Sequence, residues 1–277
     1  MDQEYEDRLS RLNRLNDISN EPTSYNNGNK PKKTPSRKFS TIPRATVITL
    51  IISIISQLAI WWVYPLIYSR NLAGGQWQQN PLFVVYTILL AISIYFTIGQ
   101  SRYKISTLAI AFVPVVSLYF LYQQMTAQQV ILLSLLPITL ILINIKPLKL
   151  HNIIGLNLFA VIATVSVPVA IFYQQNTFLT IPFIYSLFPL FFSYLYYMAS
   201  IFITNFHHKR IASFVLGAIL LINVLTLPWN IWTLLAVVLI VFTWLILINL
   251  TIKTEYLFGI LSALQAITIL AIFLQQK

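Results

Sequence analysis

Nine stretches of up to about 27 residues run through this chain almost without charge, each near the length a helix needs to cross about 30 Å of hydrocarbon. They are read as Ala45–Tyr68, Pro81–Gly99, Ile105–Tyr122, Val130–Ile145 and Ile153–Tyr173, followed by Phe178–Thr204, Ile211–Leu227, Ile231–Leu250 and Tyr256–Leu274. Hydrocarbon cannot satisfy the edge of an open sheet, and the runs are too long and continuous for barrel strands. The fold class that follows is an all-α polytopic transmembrane bundle. Composition agrees: hydrophobic residues make up 57% of the chain and charged residues 9%. That leaves too few polar groups to cover a water-soluble surface.

Residues 1–44 are of a different kind. Tyr5, Leu9 and Leu12 fall at helical spacing, continued by Leu15 or Ile18, with Glu4 to Arg8 and Asp7 to Arg11 pairs four residues apart. A short amphipathic helix is expected over 2–20. From Glu21 to Pro43 the chain is rich in Asn, Ser, Thr, Pro and Lys, a composition that cannot offset the entropy of ordering, so a basic disordered linker is expected. The division is thus a cytoplasmic polar tail over 1–44 and a helical bundle over 45–274. The first apolar run begins only after Arg44, so no cleavable leader is expected at Met1.

The connections set the orientation. Those after the second, fourth, sixth and eighth stretches contain Arg102 and Lys104, Lys146 and Lys149, Lys209 and Arg210, and Lys253; among the others Arg70 is the only charge. Cytoplasmic loops carry the excess of Lys and Arg. The tail and every even connection are therefore expected inside and the C-terminus outside, which makes the chain a multi-pass protein of the plasma (bacterial cytoplasmic) membrane. The basic run from Lys30 to Arg44 would also be drawn to anionic headgroups. The net charge of +11 is absorbed by this tail and these loops, so no nucleic-acid partner is expected.

Interior chemistry is limited by what is missing from the sequence. Beyond Glu21 the only acid is Glu255, and there is no cysteine. This argues against a carboxylate or thiolate metal site, a carboxylate proton relay and a thiol nucleophile. No metal or cofactor is expected, and no catalytic residue can be named. Gln57, Ser193, Tyr194, Tyr196, Tyr197, Asn223 and Gln265 fall at depth, where hydrogen bonds between helices account for them. The one place that could disclose a ligand is the cytoplasmic rim. There Arg102, Lys104, His207, His208, Lys209 and Arg210 form a candidate site for an anionic headgroup, with Lys146, Lys149 and His151 in the neighbouring connection and Glu255 as a polar partner. Topology by itself accounts for the Lys and Arg; the two histidines exceed what it requires.

Nine spans with short basic connections after the second and sixth resemble the UbiA-type membrane prenyltransferases. The stretch FPLFFSYLYYMASIFITNFHHKR and the final KTEYLFGILSALQAITILAIF look closer to the bacterial YwiC-like family. The prenyltransferase resemblance implies a bundle in which the connections after spans two and six face each other across a cavity mouth. It also implies aspartate-rich motifs that hold Mg²⁺, and at those places this chain reads IGQSRYK and TNFHHKR. Metal-dependent prenyl transfer is therefore not expected, and the His-Gly-Ala-Trp element of YwiC-like proteins is replaced by IPRATVI.

Three functions fit this reading: a bundle that binds an isoprenoid, polyprenyl phosphate or anionic phospholipid at the basic rim; a non-enzymatic membrane component or scaffold acting through its tail; and a small-molecule permease. Orientation is directly testable. Reporter fusions after Asn80, Gln128, Gln175 and Lys277 should report the outer side, and fusions after Lys104, Leu150, Arg210 and Lys253 the cytoplasm; an inside result for Lys277 would refute the count.

Overall fold

In the computed structural model the described residues are 44–69, 80–100, 105–176, 179–203, 206–249 and 254–275. The chain divides into two units, Met1–Thr41 and Ile42–Lys277. The first unit, and with it the expected amphipathic helix and the linker, lies outside the described residues. So do Arg102, Lys104 and Lys253.

Among the described residues there are nine α-helices and no strands: α1 (Arg44–Ser69), α2 (Pro81–Ile94), α3 (Ile105–Leu121), α4 (Ala127–Asn144), α5 (Ile153–Asn176), α6 (Ile181–Phe202), α7 (Phe206–Leu225), α8 (Ile231–Asn249) and α9 (Thr254–Gln275). A π-helical segment, Tyr95–Gln100, extends α2, and a single 3₁₀ turn, Lys146–Leu148, precedes α5. Eight of the nine α-helices are long and apolar enough to cross a membrane. The exception is α3, with 17 residues. At 1.5 Å of rise per residue it would span only about 25 Å.

Each helix packs against its neighbour in sequence, as short connections require, and α1 closes the ring by packing along much of α9. The close approach of α1 and α9 depends on Gly259: a β-carbon there would lie 2.5 Å from Thr49 Cγ2. In a membrane, where apolar burial does not drive helices together, such small-residue contacts bring backbones within dispersion range. Helix α6 occupies the middle of its neighbours α5, α7 and α9, and Ser193 to Ser200 are buried on every side. By contrast, α7 and α8 expose Phe214, Ile222, Leu234, Val238 and Phe242, which suits the lipid-facing edge of a bundle.

Prolines at 114, 137, 168 and 189 lie inside helices. Each lacks the N–H that would bond the carbonyl four residues back. For two of them the missing donor is supplied from α2. Ser93 Oγ shares its one proton between the Leu89 carbonyl of its own helix (2.9 Å) and the Ile110 carbonyl freed by Pro114 (3.0 Å), and Tyr86 Oη donates to the Leu133 carbonyl freed by Pro137 (2.7 Å). Pro182, by contrast, occupies the first turn of α6, where no backbone donor is needed.

Three helix starts differ from the sequence reading by three residues or more, α6 beginning at Ile181 rather than Phe178 with Thr180 as its extended N-terminal neighbour. Helix α4 begins at Ala127 rather than Val130 because Thr126 and Gln129 form a reciprocal capping box. Helix α7 begins at Phe206 rather than Ile211, so His207 to Arg210 form its first turn: charge keeps residues out of hydrocarbon but not out of a helix.

The proline compensation gives a measurable coupling. Tyr86→Phe should cost about 1–2 kcal/mol of stability, because it leaves the Leu133 carbonyl without a partner. In a Pro137→Ala background, which restores the intrahelical donor, the same change should cost clearly less; equal losses in both backgrounds, measured by reversible unfolding in detergent, would refute the pairing.

Candidate headgroup cleft

The chain leaves α4 through the 3₁₀ turn Lys146–Leu148, and Lys149 then takes a left-handed conformation (φ 45°) with its N–H donating to the Lys146 carbonyl at 3.3 Å. For a side chain bearing a β-carbon this backbone costs on the order of 1–2 kcal/mol, so the bend is held by its surroundings. It delivers His151 and Asn152 to the start of α5. Asn152 Oδ1 accepts from the N–H groups of Ile154 (2.9 Å) and Gly155 (3.0 Å), capping the helix. The His151 ring lies 5.9 Å from that of Phe202, at the end of α6.

Helices α5 and α7 both pack on α6 but make little contact with each other. The gap between them is a cleft of about 500 Å³. His151, Asn152 and His208 bring its polar groups, and the end of α6 contributes Phe202 and Ile203. Along α7 the wall continues through Ile211, Ala212, Val215 and Leu216, one stripe at helical spacing. The cleft is therefore amphipathic: imidazole and amide groups gather at the helix ends, and a hydrocarbon surface runs toward the middle of the bundle.

Of the residues that the sequence marks as a headgroup site, His208 lines this cleft. His207, Lys209 and Arg210 share its helical turn without lining the cleft; His207 and Arg210 are exposed and Lys209 is half-buried. Glu255 falls in the first turn of α9. Arg102 and Lys104 are outside the described residues, so the expected meeting of the second and sixth connections is too. What the structure brings together is the fourth connection and the beginning of α7. His151 was visible in the sequence as part of the rim, whereas Asn152 carries no signal beyond its aptitude for capping.

The electrostatics of α7 are unusual. A helix N-terminus is the positive end of the macrodipole and favours acidic side chains, each by about 0.3–1 kcal/mol. The first turn of α7 contains no acid and reads FHHKR. Orienting the chain in the membrane explains some of this, but the combined positive potential also makes the turn suited to an anion. Among the described residues no group of three or more His, Cys, Asp or Glu is placed to hold a metal ion.

A second, smaller recess of about 170 Å³ lies on another face of α7, between Tyr196, Gly217, Ile240 and Trp244. It is lined almost wholly by carbon, and the Tyr196 hydroxyl is already committed to the Ile240 carbonyl at 3.0 Å. Compared with protein-family models, curated proteins and solved structures, the chain has no match in any of the three.

Proposed function

We propose that this multi-pass membrane protein binds an anionic amphiphile, a phospholipid or polyprenyl phosphate, with its phosphate between His151, Asn152 and His208 and its chain along α7. The observation that carries this reading is the division of the cleft into a polar end and an apolar wall. A soluble anion would have no use for Ile211, Val215 and Leu216, and a purely apolar ligand none for the histidines. An imidazole N–H donates to a phosphate oxygen in either charge state, and the cationic first turn of α7 adds long-range attraction. In the same reading all nine helices cross the membrane, with α3 tilted little and locally thinning the bilayer, and the N-terminus is cytoplasmic. The cleft then opens at the level of the inner-leaflet headgroups. The kinship with YwiC-like and prenyltransferase families belongs to this proposal and supplies the polyprenyl option; binding without chemistry is the form that the residues at the cleft support.

Binding of phosphatidylglycerol and of a polyprenyl phosphate to the full chain, measured by native mass spectrometry, tests the proposal. Loss of an imidazole donor to a charged group is worth about 1.5–3 kcal/mol, so His208→Leu should weaken binding roughly tenfold or more. Ala212→Trp, which fills the cleft, should weaken it similarly, while Lys253→Gln should have little effect. Equal changes in all three variants would indicate general rim electrostatics and remove the cleft as the site.

The chain dependence is a separate expectation. If the apolar wall takes part, affinity should rise with lipid chain length at constant headgroup, and Val215→Asn should flatten that dependence without abolishing headgroup binding.

A further inference from the structure

Away from the cleft, a set of polar side chains lies wholly inside the bundle, where α1, α6 and α9 meet. Ser53 and Gln57 are one turn apart on α1; Ser262 and Gln265 are three residues apart on α9; all four are fully buried. Because Gly259 rests against Thr49 and the two helices pack along much of their length, these residues come roughly level beyond that contact. The two amides reach α6 at adjacent positions. Tyr194 Oη donates to Gln57 Oε1 at 3.0 Å, and Gln265 Nε2 donates to Ser193 Oγ at 3.2 Å.

Each of those bonds uses half of its amide. Among the described residues, Gln57 Nε2 and Gln265 Oε1 have no protein partner, nor do the hydroxyls of Ser53 and Ser262. Most other buried hydroxyls follow the usual solution for a helix in lipid and donate to a carbonyl three or four residues back, as in Ser56, Thr97, Thr139, Thr164 and Thr243, while Ser200 and Ser213 are isolated exceptions. The seam departs from that habit on both facing helices. Its groups are one unused amide donor, one unused amide acceptor and two hydroxyls able to do either, with the buried indole N–H of Trp61, one turn beyond Gln57, as a further donor. None is ionisable, so a charged ligand would find no counter-charge.

We infer that this seam is a binding site for water: one or more internal molecules held among Gln57, Gln265, Ser53 and Ser262. Water accepts from Gln57 Nε2, donates to Gln265 Oε1 and completes the two hydroxyls, which matches the usual two to four polar partners of a buried water. The site is independent of the proposed amphiphile cleft.

X-ray hydroxyl-radical footprinting of the full chain in nanodiscs tests this, because radicals formed from a bound water label the side chains beside it. Tyr194, hydrogen-bonded to Gln57, is fully buried, and so is Tyr86, whose hydroxyl is satisfied by a carbonyl. Tyr194 should label several-fold faster than Tyr86; equal rates in the wild-type protein would overturn the proposal. In a Gln57→Leu, Gln265→Leu double variant the labelling of Tyr194 should fall to that of Tyr86. Labelling that persists would mean the amides do not hold the water, and would overturn the assignment. Because the first comparison uses the wild-type chain, it stands even if the variant fails to fold.

Discussion

A carbonyl oxygen inside hydrocarbon has no water to fall back on, and each one left alone costs on the order of several kcal/mol. That constraint selects helices, and it also decides what prolines in those helices demand of their neighbours. Pro114 and Pro137 free the carbonyls of Ile110 and Leu133, and both are answered by side chains of one helix, Ser93 and Tyr86 of α2. The result is specificity as well as compensation. Alternative rotations or slides of α2 against α3 and α4 would leave two polar groups orphaned, so the kinks help to fix how the helices are seated.

The centre of the bundle meets the same demand with tyrosines. Tyr196 reaches the Ile240 carbonyl, Tyr197 meets Thr268 at 2.6 Å, and Tyr194 meets Gln57. Each ring fills volume while its hydroxyl finds a partner across a helix boundary. The ring of Tyr196 lies so close to Gly217 that a β-carbon there would come within 2.8 Å of its Cε2. This helps to explain how an aromatic, Ser-rich helix can be buried on all sides: the hydroxyls of Tyr194, Tyr196 and Tyr197, and of Ser186 and Ser193, all have partners.

Much of this fold could be read from the sequence, and the reasons are physical. Long uncharged runs and sparse charges report directly on the solvent: nine spans are read from them, and eight of the described helices are long and apolar enough to cross a membrane. Helix ends are harder, because the signals there are polar and look like loop: TAQQ begins α4 through a capping box, and FHHKR begins α7 although it holds two cations and two histidines. The depth of Gln57, Tyr194 and Gln265 was legible, and so was their role as links between helices. Which helix each would meet was not, since pairing depends on rotations of α1, α6 and α9 that no single run encodes. At the rim, the histidines stood out by exceeding what orientation requires. That His208 would line one cleft with His151 at the end of α6 depends on the left-handed turn at Lys149, and nothing in the local sequence announces it.

The cleft and the seam show two different ways in which a membrane bundle can leave polar groups available. At the cleft they sit where α5 and α7 part, and on the proposed reading a ligand arrives there laterally from the bilayer and exchanges. In the seam they are sealed between the helices that pack most extensively, so an occupant is part of the fold rather than a visitor. The difference follows from packing alone: α5 and α7 share a neighbour without touching much, whereas α1 and α9 are drawn together by Gly259. Among the described residues the buried polar groups are neutral hydrogen-bonding ones, and those in the first turn of α7 are cationic or imidazole. On the proposed reading that distribution suits recognition of a lipid headgroup at the edge, with a hydrogen-bonded interior to hold the edge in shape.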